Sequence, residues 1–279
     1  MASTINTNLS SLTAQRTLST TQHSIGTSMQ RLSTGLRVNS SKDDAAGLAI
    51  AARMTSQVRG MQVASRNAND GISLVQTAEG ALGKIGESLQ RMRELAVQSS
   101  NATNHTSDRA NLDQEYRALS EEVIRVIRGT KFNGRELLHD AVGSLAFQVG
   151  ADNTATDTIT VSMASIWTGA GMSVAVSGAG ATISTAQSAL ATMSNLDAAI
   201  DEVTTARSML GSVQNRFESV VANLATSSEN LQAARGRIID TDFAVETSNL
   251  SRAQVLQQAG NAMLAQANQA PQQVMSLLR

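Results

Sequence analysis

The chain has 279 residues, 41% of them hydrophobic but only 2% aromatic, with four Phe, one Trp and one Tyr. Aromatic side chains bury roughly 150–250 Å² each and dominate most compact cores and ligand pockets, so this composition argues against an enzyme built around a deep, shaped cavity. A formal net charge of −1 argues against a nucleic-acid binder, and the absence of cysteine removes disulfides, thiolate metal sites and cysteine nucleophiles.

In the first segment apolar residues fall at Ile5, Leu9, Leu12, Leu18, Ile25, Met29, Leu32 and Leu36. Most lie three, four or seven apart, the mark of a narrow helical seam. Residues 1–9 have neither a cationic nor a continuous apolar stretch, so no Sec-type signal peptide is expected. No apolar run approaches the ~18 residues of a membrane span, so membrane insertion is not expected either. Composition alone therefore predicts a cytoplasmic protein. Gly35 and the polar run Asn39-Ser-Ser-Lys-Asp-Asp44 read as a helix stop and a new start, with Ser41 or Asp43 as the cap and Asp44 in the first turn.

A longer seam runs from about Asp43 to Ser99 through Ile50, Met54, Val58, Met61, Ala64, Ala68, Ile72, Val75, Leu82, Ile85, Leu89, Met92 and Ala96. Within it Arg91, Glu94 and Leu95 are expected to face outward. Gly60, Gly71, Gly80, Gly83 and Gly86 interrupt the helix-forming residues, and glycines in a helix that keeps its register permit bending or a close neighbour. A third helix is expected from about Asp108 to Gly129, ending in Lys131-Phe-Asn-Gly134, where Asn-Gly marks a tight turn. Leu145–Val149 and Thr158–Ser162 read as short strands, and the Gly-rich 169–180 as a loop or weak hairpin. The last long helix starts near Ser184, with a seam of Leu190, Met193, Ile200, Val203, Arg207, Leu210, Val213, Phe217, Val220, Leu224, Leu231 and Ile238. After a break at about 239–242, a final seam follows: Leu250, Leu256, Ala259, Met263, Ala267, Val274 and Leu277.

The layout is nearly palindromic, which predicts a mainly α fold: a long antiparallel, coiled-coil-like helical rod with a small β-hairpin region at its outer tip. Its terminal stripes lack a local core, so they need partners from other chains. The catalytic inventory is empty. His23, His105 and His139 are isolated, so no metal is expected. Asp43-Asp44 and Glu121-Glu122 are adjacent pairs that point to different helix faces. Gly169 and Gly171 are followed by Val174 where a dinucleotide motif needs glycine, so no cofactor is expected.

Both ends resemble bacterial flagellin. The resemblance lies in Ile5-Asn-Thr-Asn-Leu9, Gln30-Arg-Leu-Ser-Thr-Gly-Leu-Arg37, Lys42-Asp-Asp-Ala-Ala-Gly-Leu-Ala-Ile50 and Ala64-Ser-Arg-Asn-Ala-Asn-Asp-Gly-Ile-Ser73. It continues in Ser251-Arg-Ala-Gln-Val-Leu-Gln-Gln-Ala-Gly260, Leu264-Ala-Gln-Ala-Asn-Gln-Ala-Pro271 and the terminal Leu277-Leu-Arg279. It implies an inner domain of 1–43 with 243–279 and an outer shell domain of 44–242, the latter holding a short β and Gly-rich central region at about 136–183. The implied function is a structural subunit that self-assembles into the helical flagellar filament for swimming motility. The hook–filament junction adaptor, a member of the same export family, is the alternative.

The resemblance also assigns the assembly seams to Ile5, Leu9, Leu12, Ile25, Met29, Leu32, Leu36, Leu256, Met263, Val274, Leu277 and Leu278. It implies export, unfolded, through the flagellar type III apparatus with a chaperone, which overrules the cytoplasmic placement. Hook-associated and filament cap proteins are further implied partners. Leu89-Gln-Arg-Met-Arg-Glu-Leu-Ala-Val-Gln98 resembles the segment detected by the vertebrate Toll-like flagellin receptor, which implies contacts at Gln90, Arg91, Leu95 and Glu115.

Overall fold

The computed structural model describes residues 7–139, 143–163, 166–167, 169–176 and 181–276, with backbone alone from 270 onward. The fold is mainly α, with small antiparallel β regions, as the periodicity predicts. In chain order come α1 (Leu9–Thr34), α2 (Ala45–Ser100), α3 (Thr106–Gly129), β1 (Lys131–Phe132), β2 (Arg135–Glu136), β3 (Gly143–Gln148), β4 (Thr158–Met163), α4 (Ala170–Val176), α5 (Ala186–Ile239) and α6 (Phe243–Ser276). These elements form two compact units. The terminal unit takes the described residues up to Ser56 and from Asn230 onward, and the central unit runs from Gln57 to Glu229.

In the terminal unit α1 and α6 lie antiparallel. The Asn8 side chain caps α1 by accepting from the Ser11 N–H at 3.1 Å, and its amide donates to the Ala267 carbonyl at 2.8 Å. Ser11 donates to Asn268 at 2.9 Å, while at the other end of α1 Arg31 faces Glu246 at 3.7 Å. Gly35 ends α1 at φ 71°, a left-handed cap that glycine adopts without a Cβ clash, and its N–H reaches the Arg31 carbonyl. The chain then pairs with the α5–α6 junction. Thr241 N–H donates to Gly35 O at 2.9 Å, Arg37 N–H donates to Ile239 O at 2.7 Å, and the Arg37 guanidinium donates to the Ile238 carbonyl. Val38, Ala51 and Ile239 close a small core there.

The cap of α2 differs from the expected one. Asp44, not Ser41 or Asp43, caps it by accepting from Gly47 N–H at 2.8 Å. Asp43 instead takes the Asn39 and Ser40 N–H groups, which hold its carboxyl below the usual range. At the other helix start, Asp242 caps α6 through the Ala244 N–H at 2.9 Å.

In the central unit α2 and α5 run antiparallel, as Gly71 against Phe217, Glu79 against Arg207, Gly86 against Val203 and Arg93 against Asp197 show. The seam Ala68, Val75, Leu82, Ile85, Leu89, Met92 and Ala96 is buried as expected, and so are Val203, Leu210, Val213 and Phe217. Leu190 is a correction: it is 59% exposed, and its neighbour Ala189 turns inward with Leu196. In the terminal unit Ile50 likewise yields the inner face to Ala51. Asn133 (φ 48°) and Gly134 (φ 77°) join β1 to β2 in the two-residue turn that Asn-Gly favours. β3 and β4 pair antiparallel from Gly143↔Met163 to Gln148↔Thr158, placing Phe147 edge-on to Phe217 at 5.4 Å.

The Gly-rich stretch is a second correction. Residues 170–176 form a helix, not a loop or hairpin, while 177–180 lie outside the described residues. Gly171 is needed for contact rather than turning, because a Cβ there would sit 2.7 Å from Ala199 N and 2.8 Å from the Ala198 carbonyl carbon. Glu202 satisfies the start of this helix, accepting from the Gly171 and Met172 N–H groups at 2.9 and 3.1 Å.

Candidate assembly surfaces

The faces that join α1 to α6 are lined mainly by small or polar side chains. On α1 the inward positions are Ser11, Ala14, Leu18, Thr21, Ile25, Ser28 and Leu32, spaced three and four apart, with Ser11, Thr21 and Ser28 the buried ones. On α6 they are Glu246, Ala253, Gln257, Gly260, Leu264 and Ala267, with Glu246 and Ala253 buried. Gly260 fits against Leu18, whose Cδ1 would lie 3.4 Å from an added Cβ. The α1 hydroxyls are largely spent on their own helix. Thr13, Thr17, Thr20, Thr21, Ser24, Thr27 and Thr34 each donate to the carbonyl four residues back, at 2.9–3.1 Å.

This geometry divides the residues assigned to the assembly seams. Leu9 (68%), Leu12 (53%), Met29 (58%), Leu256 (54%) and Met263 (65%) are exposed. Ile25 and Leu32 are half-buried on the α1–α6 contact, and Leu36 packs against the Val38–Ile239 cluster. Ile5, Leu277 and Leu278 lie outside the described residues, as does the side chain of Val274. Periodicity in apolar residues misses Ser11, Thr21 and Ser28, since hydroxyl residues carry no such signal. Their place in the three/four spacing, in step with Ala14, Leu18, Ile25 and Leu32, is the mark that could have found them.

A second surface lies on α2 and α3. Arg91 pairs with Glu115 on α3 at 2.9 Å and with Glu94 on its own helix at 3.0 Å. The hydrogen bonds it donates to Glu115, then to Glu94, raise its already high pKa. Arg91, Glu115 and Gln90 are exposed. Leu95 is not, and this overturns its expected outward orientation: it is 1% exposed, three residues after buried Met92 and beside buried Ala96, on the face that meets the core. Beneath this surface Tyr116 donates to the Ala175 carbonyl at 2.7 Å, and burial, with Asp113 adding to it, pushes its pKa up. For Asp113 burial works the other way to the outcome. It would raise the pKa, but the Ile183 N–H, Arg117 and the Thr182 hydroxyl outweigh it and hold the carboxyl below its usual value.

The described residues hold no cluster of three or more His, Cys, Asp or Glu able to bind a metal ion, and no helix among them is long and apolar enough to cross a membrane. The decisive likeness is one of family. The profile of the bacterial flagellin N-terminal helical region matches residues 5–142, and that of the C-terminal helical region matches 193–278. A flagellin of Halalkalibacterium halodurans is 45% identical over 278 residues, covering 99% of each chain.

The chain belongs to the bacterial flagellin family.

Among flagellins, that of Xenorhabdus nematophila is 43% identical over 315 aligned positions, and flagellin A of Vibrio anguillarum 36% over 381, both chains being covered in full. An alignment of that length on 279 residues makes the Vibrio flagellin the longer chain, and the two flagellin profiles leave 143–192 unmatched here. The crystal structure of Bacillus cereus flagellin superposes with a TM-score of 0.51 at 29% identity, covering 61% of this chain and 94% of that one. A Vibrio parahaemolyticus chain assigned as a flagellar hook-associated protein gives 0.63 at 14% identity, covering 71% and 100%, which shows a shared fold alone.

Proposed function

We propose that this flagellin-family chain is the repeating subunit of a helical flagellar filament that serves swimming motility, and that it has no enzymatic role. Residues 1–43 with 243–279 act as the inner domain of the subunit, and 44–242 as the shell. The observation that carries the reading is the exposure of Leu9, Leu12, Met29, Leu256 and Met263 on helices paired through small residues. Each such side chain gains about 1.5–3 kcal/mol when a neighbouring copy covers it. A contact between different patches of identical copies propagates helically rather than closing. Removing 243–279 should abolish filaments while the central unit keeps its helical circular dichroism. Normal filaments from that truncation would refute the assignment.

The same reading places the protein outside the cell, reached unfolded through the flagellar export apparatus with a chaperone on the C-terminal segment. Hook-associated and cap proteins then adjoin the ends of the filament. A sequence without cysteine and with one proline suits such passage, since it forms no disulfide and has a single X-Pro bond to isomerise. The exposed Gln90, Arg91 and Glu115 are the surface offered to the vertebrate Toll-like flagellin receptor, while buried Leu95 acts from within the core. Arg91→Asp should then cut receptor signalling; undiminished signalling removes that partner.

A further inference from the structure

Beside the β3–β4 hairpin the central unit holds a cavity of about 520 Å³. Its walls are largely apolar, Leu82, Met163, Ile166 and Leu210 among them, and its charged members, Asp201 and Glu202, are both acidic. Glu202 is spent on the backbone of α4. Asp201 is exposed and has no ion pair or side-chain hydrogen bond among the described residues. An occupant therefore needs an apolar body with positive charge at its edge.

Within the central unit, one surface among the described residues fits that description best. The large apolar side chains exposed in the central unit, among the described residues, are Val63, Val97, Val174, Leu190 and Met209. Met209 lines the cavity itself. Val174 and Leu190 have no charged residue one helical turn away. Val97 has Arg93, but Asp197 already holds that guanidinium at 2.6 Å. Val63 alone has an arginine one turn away on each side, Arg59 and Arg66, both exposed and neither in an ion pair among the described residues. Positions i, i+4 and i+7 share one face of α2 and span about 10 Å along its axis. The methylene stems of the two arginines widen the apolar contact, while their guanidinium heads stay at its polar edge.

We infer that the cavity receives the Arg59–Val63–Arg66 face of a second copy of this chain, an inference that rests on the filament reading. Val63 enters between the apolar walls and the arginines meet the acidic rim. Cavity and knob are different surfaces of one unit, so the contact repeats from copy to copy.

The test is a charge exchange read by growth from filament seeds. Arg66→Glu and Asp201→Arg each raise the critical concentration about fivefold with unchanged circular dichroism, and the two together in one chain restore growth to near that of the unaltered protein. Normal growth of both single variants, or a double variant no better than either, overturns the pairing. The small apolar cation 1-adamantylamine serves as a competitor. Slowed growth supports the contact, whereas binding seen by saturation-transfer NMR with growth unaffected makes the cavity a small-molecule site instead. Failure of the unaltered chain to grow at all would remove the filament reading itself, a separate result.

Discussion

The two units of the chain solve the same problem, holding long helices together, with opposite materials. The central unit buries Leu, Ile, Val and Met along α2 and α5 and adds Phe217 under Gly71 and Phe147. The terminal unit holds α1 to α6 through Ser11, Ala14, Thr21, Ser28, Ala253 and Gly260, and leaves Leu and Met side chains in solvent. Burial of apolar area is the main source of stability, so the first unit is expected to be the more stable of the two. A chain can therefore be folded in its middle while its ends remain available for other copies.

The largest expected effect lies in the central unit. Phe217 is fully buried, so Phe217→Ala should cost about 3–5 kcal/mol in urea denaturation. A loss below about 1 kcal/mol would erase the contrast. A smaller effect separates glycines needed for contact from those merely present. Gly171→Ala drives a methyl group into the α5 backbone and should cost about 1–3 kcal/mol. Gly80→Ala meets nothing within 4 Å and should stabilise by about 0.5–1 kcal/mol. Equal responses from these two would mean that the approach of α4 to α5 is not close. The smallest effect on the monomer belongs to its ends. Leu12→Ser with Met263→Ser should change unfolding free energy by less than about 0.5 kcal/mol yet raise the critical concentration for filament growth at least about tenfold. A large monomer effect would show that these side chains already have a core.

How much of this was readable from the sequence follows the same division. In the central unit one apolar face per helix meets one apolar neighbour, so three/four spacing located Val75, Leu82, Leu89 and Phe217 correctly. Leu95 and Leu190 were misplaced because each adjoins a seam residue, and a shift of one position turns a side chain by about 100° on a helix. In the terminal unit periodicity found the helices but assigned their faces by apolar residues, whereas Ser and Thr occupy much of the true contact. The helix at 170–176 was hidden because glycine reads as a turn signal, although here Gly171 serves the approach of two helices. The resemblance named Arg91 and Glu115 but not their pairing, since spacing along one helix says nothing about a partner on another.

The hydroxyl ladder of α1 has a consequence for how that helix meets water. A free hydroxyl on a surface must be stripped of its water before another surface can cover it. The threonines of α1 and Ser24 already donate hydrogen bonds to the carbonyl four residues behind. The helix carries much of its own hydration. Its polar flank can thus be covered by another surface at a smaller desolvation cost than a row of free hydroxyls would impose.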